Sequence, residues 1–261
     1  GDGCLMEGIS HEAMSLAGVM KLNKLICFYD SNGISIDGKI DSWYQDDISL
    51  RCKSYGWNII DGVDGHNRQA INEAILQAKN SDKPTMVVCK TSIGYGAGKK
   101  QDSESSHGAP LGGDVLLELR KNLEWPYEPF ELDDEIYEKW NAVKQGKDKE
   151  ESWNSLCQDF SKAEPDKFEL LQRLASKTIP DNFINDFEAF IDELAKNDND
   201  LATRKSSQIV LEYLQSNLPE LIGGSADLSG SNNTISSAST DLNNNDDGNY
   251  IYYGVREFGM N

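Results

Sequence analysis

The sequence contains no run of 18 apolar residues, which excludes a membrane-spanning helix. It contains no C-x-x-C pair. Its five cysteines, Cys4, Cys27, Cys52, Cys89 and Cys157, are odd in number and widely spread. Three of them, Cys27, Cys52 and Cys89, sit in apolar runs, so neither a disulfide frame nor a thiolate zinc site is expected. Reduced core thiols in a cytoplasmic protein are expected instead. No G-x-x-x-x-G-K-[ST] occurs, which removes the lysine that a Mg²⁺-nucleotide phosphate loop needs. Positive charge is scarce: 25 Lys and Arg stand against 44 Asp and Glu, a formal net charge of -19. Such a surface repels nucleic-acid phosphates and anionic lipid headgroups, so neither nucleic acid nor membrane is an expected partner. An anion would have to be held by local devices: a helix N-terminus, a metal ion, or a few placed cations.

What is present is an alternation of helix and strand. The 261 residues, 38% of them hydrophobic, suffice for one large domain or two modest ones. Residues 9–22 predict a helix with Ile9, Ala13, Leu16, Ala17 and Met20 on one face. "KLICFY" (24–29) predicts a strand buried on both faces, and the polar loop "DSNGISIDGKID" follows it. A helix around 46–55, the strand "WNIID" (57–61), the helix "NRQAINEAILQAKN" and the strand "PTMVVCKT" (84–91) come next. In that helix Ile71, Ala74, Ile75 and Ala78 recur at i, i+3, i+4, i+7. The order implies an α/β fold: a parallel sheet flanked by helices, with right-handed crossovers. Residues 92–113 form a Gly- and Ser-rich stretch of a length that is usually functional or disordered. Residues 114–195 turn helical and charged, with Phe183, Phe187, Ile191 and Leu194 on one stripe. A second alternation begins near residue 200: the helix "TRKSSQIVLEYLQSNL", the strand and loop "PELIGGSAD", a long polar loop, and the strand "YIYYG".

The chemistry-bearing signal opens the chain. In "GDGCLMEGISHEA" two glycines flank one acid, which permits a tight turn and close backbone approach. Ligands of parallel sheets sit at the carboxyl ends of the strands. A carboxylate there repels a phosphate unless a cation bridges them, so the expected species is a Mg²⁺-diphosphate with Asp2 as a metal ligand. The next strand ends at Asn32, whose amide oxygen lies at the same sheet edge, with the carbonyl of Ile34 nearby. On these residues alone, an ordinary turn and a metal–diphosphate site both stand.

The motifs together go further. "GDGCLMEGISHEA", then after 28 intervening residues (Gly3 to Asn32) "SNGISIDG", then "TSIGYG", "SSHGAPLG", "GGSADLSGSN" and "NYIYYGVREFGM" follow one another in order. This series resembles the thiamine diphosphate enzymes of the transketolase family over essentially the whole chain. Ser31 stands where many members have Asn, and "KKQDSES" before His107 differs from the commoner loop.

The resemblance implies thiamine diphosphate and Mg²⁺ as cofactors, with Ca²⁺ or Mn²⁺ as substitutes for the metal. It implies metal ligation by Asp2, Asn32 and the carbonyl of Ile34, and backbone approach to the cofactor at Gly3. Ile36 and Ile93 match residues that sandwich the thiazolium ring; the bare residues read equally as core isoleucines. Asp227 and Leu228 match residues beside the cofactor on a second domain. Glu257 matches the catalytic glutamate on the aminopyrimidine nitrogen, where a carboxylic acid favours the tautomer that can act as a base. His107 matches a residue that donates hydrogen bonds or shuttles a proton at the donor substrate. Arg204 and Ser231 match positions that bind the phosphate of a sugar phosphate. Glu7 and Glu12 match acids at a homodimer interface, although helix-start acids need no such role.

The implied domains are 1–122, the C-terminal part of a diphosphate-binding domain; 123–198, a helical connector; and 199–261, the N-terminal part of a pyrimidine-binding domain. The implied reaction is transfer of a two-carbon ketol unit from a ketose phosphate, of the xylulose 5-phosphate type, to an aldose phosphate. Dihydroxyacetone synthase and deoxyxylulose phosphate synthase are alternatives within the same cofactor class. The chain is also expected to be a piece lacking parts of both domains and inactive alone; an inert fragment acting only as a binding or interface piece is the alternative from another class.

Overall fold

Five consecutive residues, Thr85 to Cys89, are buried, and the N-terminal part of the molecule is organised around them. The computed structural model describes residues 1–196, 200–245 and 247–261; the domain boundary expected at 198/199 lies outside the described residues. The chain begins with a short helix, α1 (Asp2–Met6), then α2 (Gly8–Val19) and strand β1 (Ile26–Ser31). A small hairpin, β2 (Ile34–Ser35) and β3 (Gly38–Lys39), leads to α3 (Ile48–Ser54) and β4 (Asn58–Asp64). Next come α4 (Arg68–Lys79), β5 (Thr85–Lys90) and α5 (Gly113–Asn122). β1, β5 and β4 lie side by side in that order, all parallel, with Thr85 opposite both Ile26 and Asn58. This is the expected parallel sheet flanked by helices.

Strand alternation sorts the core onto two faces. Met86 and Val88 of β5 pack with Tyr29, Trp57 and, from α2 and α3, Met14, Ala17, Ile48 and Cys52. Val87 and Cys89 point the other way, against Val63 and the two alanines of α4, Ala74 and Ala78. α4 starts where Asn67 accepts the N–H groups of Gln69 and Ala70, and α3 where Asp47 accepts that of Leu50, satisfying donors that a helix start leaves open.

Two expectations need correction. The two faces of β1 are unequally covered, so "KLICFY" is not buried on both: Tyr29 is 6% exposed but Phe28 is 46% exposed. In α2 the buried residues are Met14, Leu16 and Ala17, while Ile9 and Ala13 are exposed and Met20 lies past the helix end. Leu16 and Ala17 of the expected face are buried, and Met14 joins them where the Trp57 indole N–H donates to its carbonyl at 2.8 Å. The 92–113 stretch is ordered. Asp102 N–H donates to the Ile93 carbonyl at 2.9 Å, Gly96 N–H to Gln101 Oε1 at 2.9 Å, and Ser106 Oγ to the Lys100 carbonyl at 2.5 Å.

Two units divide the described residues: Gly1–Pro126 with Ser225–Asp227 and Tyr252–Asn261, and Tyr127–Gly224 with Leu228–Ile251. The second carries α6 (Asp134–Trp140), α7 (Val143–Ala163), α8 (Pro165–Ser176), α9 (Phe183–Ala195) and α10 (Thr203–Asn217). Phe187 and Phe190 of α9 pack on Tyr213 of α10, with the Phe190 and Tyr213 rings stacked at 4.2 Å. Pro165 opens α8 at a position where its missing N–H costs nothing. The short strand β6 (Gly223–Ser225), the helical turn α11 (Ser229–Asn232) and β7 (Tyr250–Tyr252) follow, with β6 paired to β7. α11 occupies part of the expected polar loop, and the Tyr250 hydroxyl bonds Ser229 and Thr234 around it. The last helical turn, α12 (Glu257–Met260), belongs to the first unit and sits on α2. There Gly259 N–H donates to Glu12 Oε2 at 2.7 Å, and Arg256 Nη2 donates to Ser15 Oγ at 3.0 Å.

Gly18 of α2 marks the tightest approach in this packing. A Cβ there would lie 1.8 Å from the Tyr55 carbonyl oxygen, a backbone atom that cannot swing aside. Gly18→Ala is therefore expected to destabilise the protein by about 3 kcal/mol. Urea denaturation checks this, and an unchanged midpoint would refute the contact.

Candidate functional site

The carboxyl ends of the three parallel strands open onto a cavity of about 770 Å³. Each element delivers one part of its wall. α1 contributes Asp2, Gly3 and Cys4; the exit of β1 contributes Asp30 and Asn32; the hairpin contributes Ile34 and Ile36. The exit of β5 contributes Thr91, Ser92 and Ile93, and the ordered 92–113 loop brings His107. Asp2, Gly3, Asn32, Ile34, Ile36, Ile93 and His107, seven of the residues selected from sequence, thus share one cavity.

Asp2 is the buried charge of this wall, at 3% exposure. The Tyr29 hydroxyl donates to its Oδ1, and the Gly33 N–H donates to its Oδ2 at 3.0 Å. The Asn32 side-chain oxygen accepts the next backbone N–H, that of Ile34, at 3.0 Å, and its Nδ2 donates to Asp30 Oδ2 at 3.2 Å. Two consecutive amides of one turn therefore hold the Asp2 carboxylate and the Asn32 amide oxygen. The turn requires Gly33 at φ +71°, a conformation that disfavours side chains. Burial, and then the bond to Asp2, push the Tyr29 phenol well above its ordinary pKa, so it remains a donor.

The donor set suits a hard divalent cation: one carboxylate, one amide oxygen and one backbone carbonyl, all oxygen. Among the described residues no group of three or more His, Cys, Asp or Glu is arranged as a metal site. One carboxylate cannot neutralise a dication, so the set leaves positive charge for an anionic ligand to complete. The backbone beside it is open, because a Cβ on Gly3 would meet no protein atom within 4 Å. Ile36 is 70% exposed although apolar, which argues against the core-isoleucine reading and for a wall offered to a ligand.

The remaining candidates lie elsewhere. Asp227 and Glu257 belong to the first unit but are not on the cavity wall; both are exposed. Asp227 adopts φ +62°, a left-handed conformation that Asp tolerates better than most residues. Glu257 is the first residue of α12. Arg204, Leu228 and Ser231 are exposed residues of the second unit. Glu7 is exposed between α1 and α2, and Glu12 accepts the Gly259 N–H. Two participants escaped the sequence reading. Tyr29 looks like any core aromatic of a strand. His66 lines the cavity, its Nε2 accepts the Ser92 N–H at 2.8 Å, and its ring stacks on Tyr95 at 3.9 Å. Its position just past β4 was the available signal, since that edge also carries Asn32 and Ile93.

The family profile described as "Transketolase, thiamine diphosphate binding domain" matches residues 1–180, and "Transketolase, pyrimidine binding domain" matches residues 199–261. A transketolase of Buchnera aphidicola subsp. Schizaphis graminum is 51% identical over 261 residues, covering 100% of this chain and 39% of the relative. Transketolase 2 of Escherichia coli K12 is 48% identical with the same coverage. The crystal structure of a transketolase from Pichia stipitis in complex with sedoheptulose 7-phosphate matches with a TM-score of 0.89 at 38% identity, over 99% of this chain and 39% of that one. The chain thus spans about 39% of the length of these relatives.

The two environments of cysteine make a test of the cavity wall. Cys4 is exposed on it, whereas Cys52 is fully buried and burial pushes its thiol up to about 11. At pH 8 iodoacetamide is expected to modify Cys4 and leave Cys52 as the unreactive thiol until the chain is unfolded. Peptide mass spectrometry reads both, and equal modification of the two in the native protein would contradict the geometry.

Proposed function

Because the chain belongs to the transketolase family, we propose that the protein transfers a two-carbon ketol unit from a ketose phosphate to an aldose phosphate. The cofactors in this reading are thiamine diphosphate and Mg²⁺, with Ca²⁺ or Mn²⁺ as substitutes. One observation carries the reading: Asp2 and Asn32 are fixed on successive amides at the rim of a parallel sheet, beside a backbone left open at Gly3. The relative solved with sedoheptulose 7-phosphate supports sugar phosphates as the substrate class.

When bound, the cofactor supplies a carbon nucleophile able to take up and release the two-carbon unit. Asp2, Asn32 and the Ile34 carbonyl hold the metal, and Gly3 admits the diphosphate. Ile36 and Ile93 offer apolar walls that bracket a ring and exclude water. His107 donates a hydrogen bond to, or moves a proton at, a substrate oxygen. Glu257 would hold a ring nitrogen of the aminopyrimidine through its carboxyl group, with Asp227 and Leu228 beside the cofactor. Arg204 and Ser231 take the substrate phosphate.

The domains in this reading are 1–122 (diphosphate-binding), 123–198 (connector) and 199–261 (pyrimidine-binding). The protein acts as a homodimer with Glu7 and Glu12 near the interface. The exposure of Glu257, off the cavity wall of its own unit, supports its serving a partner protomer's cofactor. A cytoplasmic location is proposed too; among the described residues no helix is long and apolar enough to cross a membrane.

Incubating the full-length enzyme with xylulose 5-phosphate, ribose 5-phosphate, Mg²⁺ and thiamine diphosphate is expected to yield sedoheptulose 7-phosphate. Bound cofactor without that product would exclude this reaction and favour dihydroxyacetone synthase or deoxyxylulose phosphate synthase chemistry. Asp2→Asn removes the one charged metal ligand, and is expected to weaken Mg²⁺-dependent cofactor binding by about 100-fold or more.

A further inference from the structure

Asp2 presents an unusual problem of satisfaction. It is 3% exposed, it lies in a helix of five residues, and no ion pair among the described residues includes it. A buried carboxylate without a cation must be held by neutral donors. It has one such donor on each oxygen, the Tyr29 hydroxyl on Oδ1 and the Gly33 N–H on Oδ2. A carboxylate oxygen accepts more than one bond, so each keeps capacity for a further partner. The Gly33 donor comes from a loop. The Tyr29 donor comes from the middle of β1, on a ring that is 6% exposed and packed among Met14, Ala17, Met86 and Val88.

We infer that Tyr29 is a positioning residue for metal selectivity: its hydroxyl, fixed by the hydrophobic core, sets the orientation of the Asp2 carboxylate before any metal arrives. The inference rests on the reading of Asp2 as a metal ligand. Its physical basis is the difference between the two common hard cations. Mg²⁺ demands nearly octahedral geometry at short distances, whereas Ca²⁺ accepts variable coordination number and angle. A carboxylate free to rotate about its side-chain torsions penalises Mg²⁺ more than Ca²⁺. A carboxylate held at both oxygens removes that penalty. Tyr29 thereby favours the smaller ion without touching it.

Tyr29→Phe isolates the effect, since the ring stays in the core and only the donor is lost. Thiamine diphosphate is titrated into full-length wild-type and variant protein at saturating Mg²⁺ and, separately, at saturating Ca²⁺, with binding followed by protein fluorescence. Far-ultraviolet circular dichroism of the ligand-free variant confirms its fold. With Mg²⁺ the Kd is expected to rise about tenfold; with Ca²⁺ it is expected to rise less than about threefold. An unchanged Mg²⁺ Kd, or equal losses with both ions, would overturn the role of Tyr29, because a merely structural hydroxyl would not discriminate between ions. Failure of the wild-type protein to bind with either ion would instead defeat the reading of Asp2 on which this rests.

Discussion

Everything at the rim of the sheet depends on the satisfaction of one buried carboxylate. Charge at 3% exposure is tolerable only if its oxygens are bonded, and the donors that bond Asp2 come from two different places. Tyr29 reaches it from the core face of β1, and Gly33 from the turn that follows. The short opening helix, the first strand and the hairpin are therefore tied at a single point. The ordinary rule that parallel sheets bind ligands at their carboxyl edge acquires a specific cause here. That edge is where strand exits supply small polar side chains, as Asn32, Thr91 and Ser92 do.

The fold was legible where a pattern reflects two-sided burial or a clear helical stripe. "PTMVVCKT" has no polar residue between Met86 and Cys89, and it is the central strand. The spacing of Ile71, Ala74 and Ala78 matches the face of α4 that packs on it. The same logic failed for "KLICFY", since an apolar run cannot say whether both of its faces are covered, and that depends on partners far away in sequence. It failed partly for α2 as well. The seat of that helix is set by Trp57 and by a backbone contact at Gly18, neither of which appears in its own periodicity.

The candidate site was legible in two different ways. Asp2, Asn32 and Ile34 followed from strand exits and from the need to bridge a carboxylate to a phosphate. Glu257, Arg204 and Ser231 came forward only through resemblance, because an exposed Glu, Arg or Ser has no signature of its own, and none of the three lines the cavity. Tyr29 and His66 were missed for a third reason: what they do arises from hydrogen bonds across the fold. A tyrosine in a strand is unremarkable until its hydroxyl is seen against a buried acid, and a loop histidine until its ring nitrogen is seen holding the Ser92 amide.

The docking of α12 on α2 carries a consequence of its own. Glu12 and Ser15 stand one turn apart on α2, and they hold the Gly259 amide and the Arg256 guanidinium. The position of Glu257 is thereby coupled to α2, and local fraying of α2 at those two side chains would displace Glu257 without loosening the sheet.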